Sequence, residues 1–172
     1  DDLGRVVIPK EIRRTLRIKE GTPLEIFTDK EGEVILKKYS PIGELSVFAK
    51  EYAEALAQTT GMIVCITDHD QVVAASGQGS RELMGKTISR ELDRVITERE
   101  MKCLHTGERK LLPLVENQKD CVSELIIQPI ICGGDAIGAV ALMGKGIGEK
   151  FGNPEQMLVK TAAGFLGRQM EQ

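Results

Sequence analysis

Apolar positions in the first forty residues fall into short clusters separated by charge. Val6, Val7 and Ile8 form a β-branched run that ends at Pro9. Proline lacks an N–H to continue a ladder but suits a first helical turn, so a strand is expected to stop there and a helix to begin. Ile12 and Leu16 then lie four apart and can face a core, with Arg13 and Arg14 beside that face. Leu24–Phe27 and Val34–Leu36 read as two strands around the turn Asp29-Lys30-Glu31-Gly32, a β-hairpin. So few apolar anchors do not hold a hairpin in water, and a second copy is the simplest partner surface.

From Ile42 to Thr60 the spacing becomes helical, with Ile42, Leu45, Phe48 or Ala49, Tyr52, Ala53 and Leu56 at steps of three and four, and Gly61 as the stop. This segment is read as a connector whose stripe pairs with its symmetry mate or packs on the body that follows. Beyond it, Met62–Thr67 and Val72–Ala75 read as strands, Ile88, Leu92, Val95 and Ile96 as one helical face, and Leu111–Val115 as a short strand. Cys121–Ile131 and Ala136–Met143 read as strands joined at Gly133-Gly134-Asp135. A glycine-rich loop, Gly144–Gly152, leads to Asn153-Pro154-Glu155-Gln156, which predicts an Asn N-cap with Pro first and Gln third. The last helix is expected to bury Leu158, Ala162, Phe165, Leu166 and Met170. Helix, two strands, helices, three strands and helix together predict an antiparallel sheet flanked by helices.

Charge changes this picture by its distribution. The 172 residues carry a net −3, but residues 1–19 hold six Lys/Arg against three Asp/Glu, leaving 17 against 23 for the rest. A basic head on an acidic body suits nucleic acid better than the total suggests. Arg5, Lys10, Arg13 and Arg14 fall on the expected strand, turn and helix of one compact unit. Arginine's rigid fork matches phosphate oxygens and guanine edges. For a short basic helix taken alone, a solvated face is the more economical reading.

Other chemistry is sparse. The four cysteines, Cys65, Cys103, Cys121 and Cys132, contain no C-x-x-C, and His69 and His105 make no zinc spacing with them, so no metal is expected. Cys65 and Cys132 end or interrupt apolar runs and read as buried small hydrophobes. Such usage suggests a reducing compartment, the cytoplasm. No signal peptide is seen, and no apolar run approaches the ~20 residues that span a bilayer. Gly79 to Thr87 imitates a P-loop, but five residues separate Gly79 from Gly85 where four are needed, and Gly144-Lys145-Gly146-Ile147-Gly148 misses G-x-G-x-x-G. No cofactor is expected.

DDLGRVVIPKEIRRTLRI followed by GTPLEIFTDKEGEVILKKYSP resembles the AbrB-type swapped-hairpin DNA-binding domain without a gap, to Pro41. The resemblance implies two chains interlocked into one small barrel, with Arg5, Arg13 and Arg14 on double-stranded DNA and Lys10 beside them. Antitoxins share the fold, so fold alone does not decide function. It also implies a further strand upstream, because the chain opens at Asp1 without Met. The body resembles a GAF sensor domain in the order of its elements. The head, KKYSP, the helix, the body and the ending TAAGFLGRQMEQ together resemble a family of sporulation transcription regulators.

The expected fold is therefore mixed: a β-rich swapped-hairpin domain over 1–41, a connecting helix over 42–60, and an α+β GAF-like domain over 61–172. The partners expected are duplex DNA, the chain itself as a homodimer or homotetramer, and a small molecule, with no membrane. A GAF pocket would be walled by Cys65, Ser76, Gly77 and Ile126, or else that space is a filled core serving oligomerisation. The alternative function is redox catalysis, since some GAF-fold proteins are free methionine sulfoxide reductases that use pocket cysteines. Among the cysteines here, Cys103 has an activating neighbour in sequence, His105.

Overall fold

A computed structural model describes residues 2–105, 111–118, 122–144 and 150–171. The chain forms two compact units, Asp1–Tyr39 and Ser40–Gln172.

In the first unit, helix α1 (Lys10–Thr15) begins directly after Pro9, whose extended backbone (φ −55°, ψ 144°) turns into the helix. Strands β1 (Leu24–Thr28) and β2 (Val34–Lys38) pair antiparallel from Leu24↔Lys38 to Thr28↔Val34. The side chain of Asp29 closes their turn by accepting from the N–H groups of Glu31 and Glu33 at 2.9 and 2.8 Å. Two expectations are corrected here. Val6–Ile8 forms no strand: the sheet of this unit consists of β1 and β2, and Val6–Ile8 does not pair with the outer edge of either. Ile12 and Leu16 do not enter a core: both are exposed, and no described residue of this unit is buried.

The second unit is an antiparallel sheet covered on both faces. Its strands are β3 (Ile63–Thr67), β4 (Val72–Ser76), β5 (Lys102–His105), β6 (Glu124–Cys132) and β7 (Asp135–Gly144), in the order β4-β3-β7-β6-β5. Period-two alternation sends successive side chains of β6 to opposite faces. Ile126 and Ile130 join Val64, Ile66, Val140 and Leu142 beneath α3 (Ser46–Thr60) and α5 (Asn153–Gln169). Leu125 and Ile127 join Cys65, Ala139, Ala141 and Met143 beneath α4 (Arg90–Glu98). The turn from β6 to β7 is Gly133-Gly134 with φ of 56° and 87°, the positive pair that a two-residue hairpin with the right twist requires.

Four departures from expectation have local causes. The segment from 42 to 60, expected as one helix, is broken into α2 (Pro41–Glu44) and α3 at Leu45; of the two packings left open for it, the structure shows the one on the body, with Ile42, Ala49, Ala53, Leu56 and Ala57 buried in the core of the second unit. Leu111–Val115 is not a strand: Pro113 lacks the N–H, and a single bridge joins Val115 to Ile88. The fifth strand is instead Lys102–His105, paired from Lys102↔Ile127 to His105↔Glu124. Helix α5 starts one residue early, because the Glu155 carboxylate accepts from the Gly152 N–H at 2.7 Å and makes Gly152 the cap. Phe165 stays exposed, its ring 5.3 Å from that of Tyr52. Cys121 and residues 145–149 of the glycine-rich loop lie outside the described residues.

Candidate nucleic-acid interface

Lys10, Arg13 and Arg14 stand on α1 and Arg5 on the irregular segment before it, all four exposed. Arg14 Nη2 lies 3.1 Å from Glu11 Oε2, one turn away with both side chains solvated, so that pair contributes little to stability. The helix is short, and its C-terminus needs help. Leu16 ends it, the N–H of Ile18 reaches back to the Arg13 carbonyl at 2.8 Å, and that of Arg17 to Arg14 at 3.3 Å. This is a Schellman reversal with Arg17 at the left-handed position, φ 52°. Glycine is the usual occupant, and an L-residue there costs roughly 1–2 kcal/mol. Sequence reading passed over Arg17, which carries no glycine or asparagine signal for such a reversal. Lys38 Nζ donates to the Arg17 carbonyl at 3.4 Å and so brings the hairpin to the end of the helix.

The apolar side chains of this unit are as exposed as its cations. Val7 is 85%, Val6 67% and Ile26 65% accessible, alongside Leu3, Phe27, Val34 and Ile35. So much exposed apolar surface, with no buried residue among those described in the unit, marks it as an interaction surface.

In the second unit, a cavity of about 250 Å³ has an apolar floor of Ile63, Leu83, Val115, Val122 and Met143 and a polar rim of Glu82, Lys86, Asn117 and Gln118. None of Cys65, Ser76, Gly77 and Ile126 lines it. Cys65 and Ile126 lie on opposite faces of the sheet: Cys65 pairs with Ala141 of β7 and Ile126 with Leu142, the next residue, so the two side chains enter different cores. Gly77 is taken up by packing, where a Cβ would press on the backbone of Met62 and Ile63. The thiols are poorly placed for chemistry. Burial pushes Cys65 up to about 12, and burial also raises Cys103, with Lys160 opposing it. His105 does not serve Cys103; its Nδ1 pairs with the buried carboxylate of Glu124, which also accepts from the Phe151 N–H at 3.4 Å.

Comparison with known proteins places both units. The model of the Stage V sporulation protein T C-terminal family, described as a transcription factor, matches residues 44–171. That of antidote-toxin recognition MazE, a bacterial antitoxin, matches residues 1–44. Stage V sporulation protein T of Bacillus subtilis is 51% identical over 172 residues, covering 100% of this chain and 94% of that protein. Transition state regulatory protein AbrB of Bacillus subtilis is 63% identical over 41 residues, 24% of this chain and 42% of AbrB. Two solved structures share the fold of the body. The GAF domain of an Acinetobacter phosphoenolpyruvate-protein phosphotransferase superposes with a TM-score of 0.61 at 12% identity, over 78% of this chain and 84% of that one. The type II free methionine-R-sulfoxide reductase of Thermoplasma acidophilum does so at 0.53 and 13%, over 73% and 94%. At such identities the likeness is one of fold.

The class is a transcription regulator that joins an AbrB-type head to a GAF-like α+β body. The chain belongs to the stage V sporulation protein T family, and its function is regulation of transcription in sporulation.

Proposed function

We propose that the unit Asp1–Tyr39 binds duplex DNA as an interlocked dimer, with Arg5, Arg13 and Arg14 as the principal contacts and Lys10 beside them. The observation that carries this reading is the conjunction of four exposed cations with a unit that has no buried residue. Pairing two copies gives Val6–Ile8 a neighbouring strand, covers the exposed apolar side chains, and doubles the cations offered to DNA. Phosphate contacts supply most of the affinity, and groove shape with a few arginine–base contacts supplies the specificity. The test is Arg13→Ala. For a phosphate contact, affinity falls on every duplex tried, and unchanged affinity removes Arg13 from the interface.

The body serves as the oligomerisation and sensing part and carries out no catalysis, working in the cytoplasm with the DNA. Two observations support this. The cavity offers a ligand site with an apolar floor and opposite charges on its rim, and none of the described thiols lines it. A ligand regulates only if it distinguishes two states of the body. A thermal-shift screen of metabolites is the test: a hit lost in Lys86→Ala supports sensing at the cavity, and no hit leaves oligomerisation as the body's role.

A further inference from the structure

We infer that the cavity of the body takes a small aliphatic α-amino acid, whose zwitterionic head is held between Lys86 and Glu82. The inference rests on the sensing reading of that cavity and deepens it by naming the ligand class.

The first observation is the charge of the rim. Lys86 and Glu82 both line the cavity, and among the described residues neither takes part in an ion pair. Opposite charges four residues apart close on each other along an α-helix. Here the chain between them is not α-helical: a single 3-10 turn, Ser80–Glu82, gives way to Leu83, and Gly85 takes a left-handed backbone at φ 70°. The turn is also fastened to β4. The Gly85 N–H donates to the Val72 carbonyl at 3.0 Å, and the Val72 N–H donates to the Lys86 carbonyl at 3.0 Å. One cation and one anion are thus presented at the same cavity from an anchored backbone. A simple acid would meet Glu82 with like charge or bare carbon, and a simple amine would do the same to Lys86. A molecule carrying both charges complements both.

The second observation is Gln118. Its Oε1 accepts from the N–H groups of Leu114 and Val115 at 2.7 and 3.4 Å. With the oxygen held there the amide does not turn over, and among the described residues no acceptor takes its NH2. That end is donor-only, which suits a carboxylate and not an ammonium. Lys86 and Gln118 therefore supply the carboxylate end of the site, and Glu82 the ammonium end.

The third observation is the size and lining of the space. About 250 Å³ lies below the ~300–1,000 Å³ of ordinary small-molecule sites. At ~30 Å³ per water it holds roughly eight waters, so the occupant is of about eight or nine non-hydrogen atoms, the size of valine, leucine, isoleucine or methionine. The floor is built of aliphatic side chains and Met143, and a hydroxyl or amide placed against it would find no partner there. Amino acids with polar side chains are excluded on that ground.

The experiment is isothermal titration calorimetry of the full-length protein with L-valine, L-leucine, L-isoleucine and L-methionine, with the amide and the deaminated acid of each, and with L-asparagine. At least one of the four amino acids is expected to bind, with its amide and its deaminated acid each about tenfold weaker or more. Glu82→Gln and Lys86→Met are expected to melt at the wild-type temperature without ligand, because both side chains are exposed, and to bind the amino acid about tenfold more weakly. Lys86→Met should also lose the preference for the amino acid over its amide, and Glu82→Gln the preference over the deaminated acid, which a purely structural role would leave alone. Gln118→Glu keeps the oxygen that Leu114 and Val115 use and replaces the donor by an acceptor, so it too should weaken binding. Unchanged affinity in both charge variants overturns the inference, as does asparagine binding as well as the aliphatic amino acids. A different metabolite detected by thermal shift and lost in Lys86→Ala, with none of the amino acids bound, overturns the inference and leaves the sensing reading in place. No ligand of any kind overturns both.

Discussion

Helix α5 carries two glycines three residues apart whose environments are opposite, and replacing each by alanine tests how the body is held together. Gly167 is buried against β6: a Cβ there would overlap the carbonyl oxygen of Ile131 and lie 3.2 Å from its carbonyl carbon. Gly164 has nothing within 4 Å of its Cβ position. At Gly164 the substitution meets only helix propensity, a gain of about 1 kcal/mol. The same gain applies at Gly167, but the new methyl meets backbone, which cannot rotate aside. Either α5 lifts from the sheet or the end of β6 bends, and overpacking of this kind costs about 3 kcal/mol at the upper end of its usual range. The net expectation is a loss of about 2 kcal/mol for Gly167→Ala and a gain of about 1 for Gly164→Ala. The assay is urea unfolding followed by circular dichroism at one fixed protomer concentration, because oligomerisation shifts apparent stability by mass action. Equal stabilities for the two variants would refute the claim that α5 packs backbone-close on β6.

Other predictions concern single groups. With its thiol pushed up to about 12, Cys65 carries almost no thiolate at pH 8 in the folded state, so iodoacetamide followed by mass spectrometry should find it unmodified until urea unfolds the body. Labelling of native Cys65 would show that the strand opens. Ser89 caps α4, accepting from the Leu92 N–H at 3.0 Å and donating to the Pro113 carbonyl at 2.5 Å. Ser89→Ala should lower unfolding stability by about 1–2 kcal/mol, and a change within error would mean that water replaces the cap. Glu124→Ala strips His105 and the Phe151 N–H of their buried acceptor, for an expected loss of about 1–3 kcal/mol by the same assay.

Local signals carried much of the fold. The Asp29 turn, the Gly133-Gly134 hairpin and the start of α5 within one residue were legible because turn and cap chemistry is short-range. The heavily apolar stretch around Ile126 and Ile130 was legible as a strand, and the structure buries it on both faces. What escaped depends on partners distant in sequence. Lys102–His105 looks like a polar tail after α4 and becomes a strand only because β6 has a free edge. Leu111–Val115 has the right residues but lacks a donor at Pro113. Val6–Ile8 has a strand's composition, but no described strand pairs with it. Arg5, Lys10, Arg13 and Arg14 could be nominated from sequence because they cluster there, and the structure leaves all four exposed. The cavity was missed because its walls are distant in sequence: they come from β3, the Gly79–Leu83 turn, Lys86, Val115, Asn117, Gln118, Val122 and β7, while of the residues chosen from sequence Cys65 and Ile126 lie in packed cores on opposite faces.

The central claim is that the coreless basic head is the DNA reader. The most direct measurement is fluorescence anisotropy of labelled duplex DNA with the full-length protein across a salt series, repeated for Arg5→Ala and Arg14→Ala. Binding with a log–log slope of about −3 or steeper, flattened in each variant, is the predicted result. No binding at low salt, or a slope that neither variant changes, would contradict it and leave the head as a dimerisation element alone.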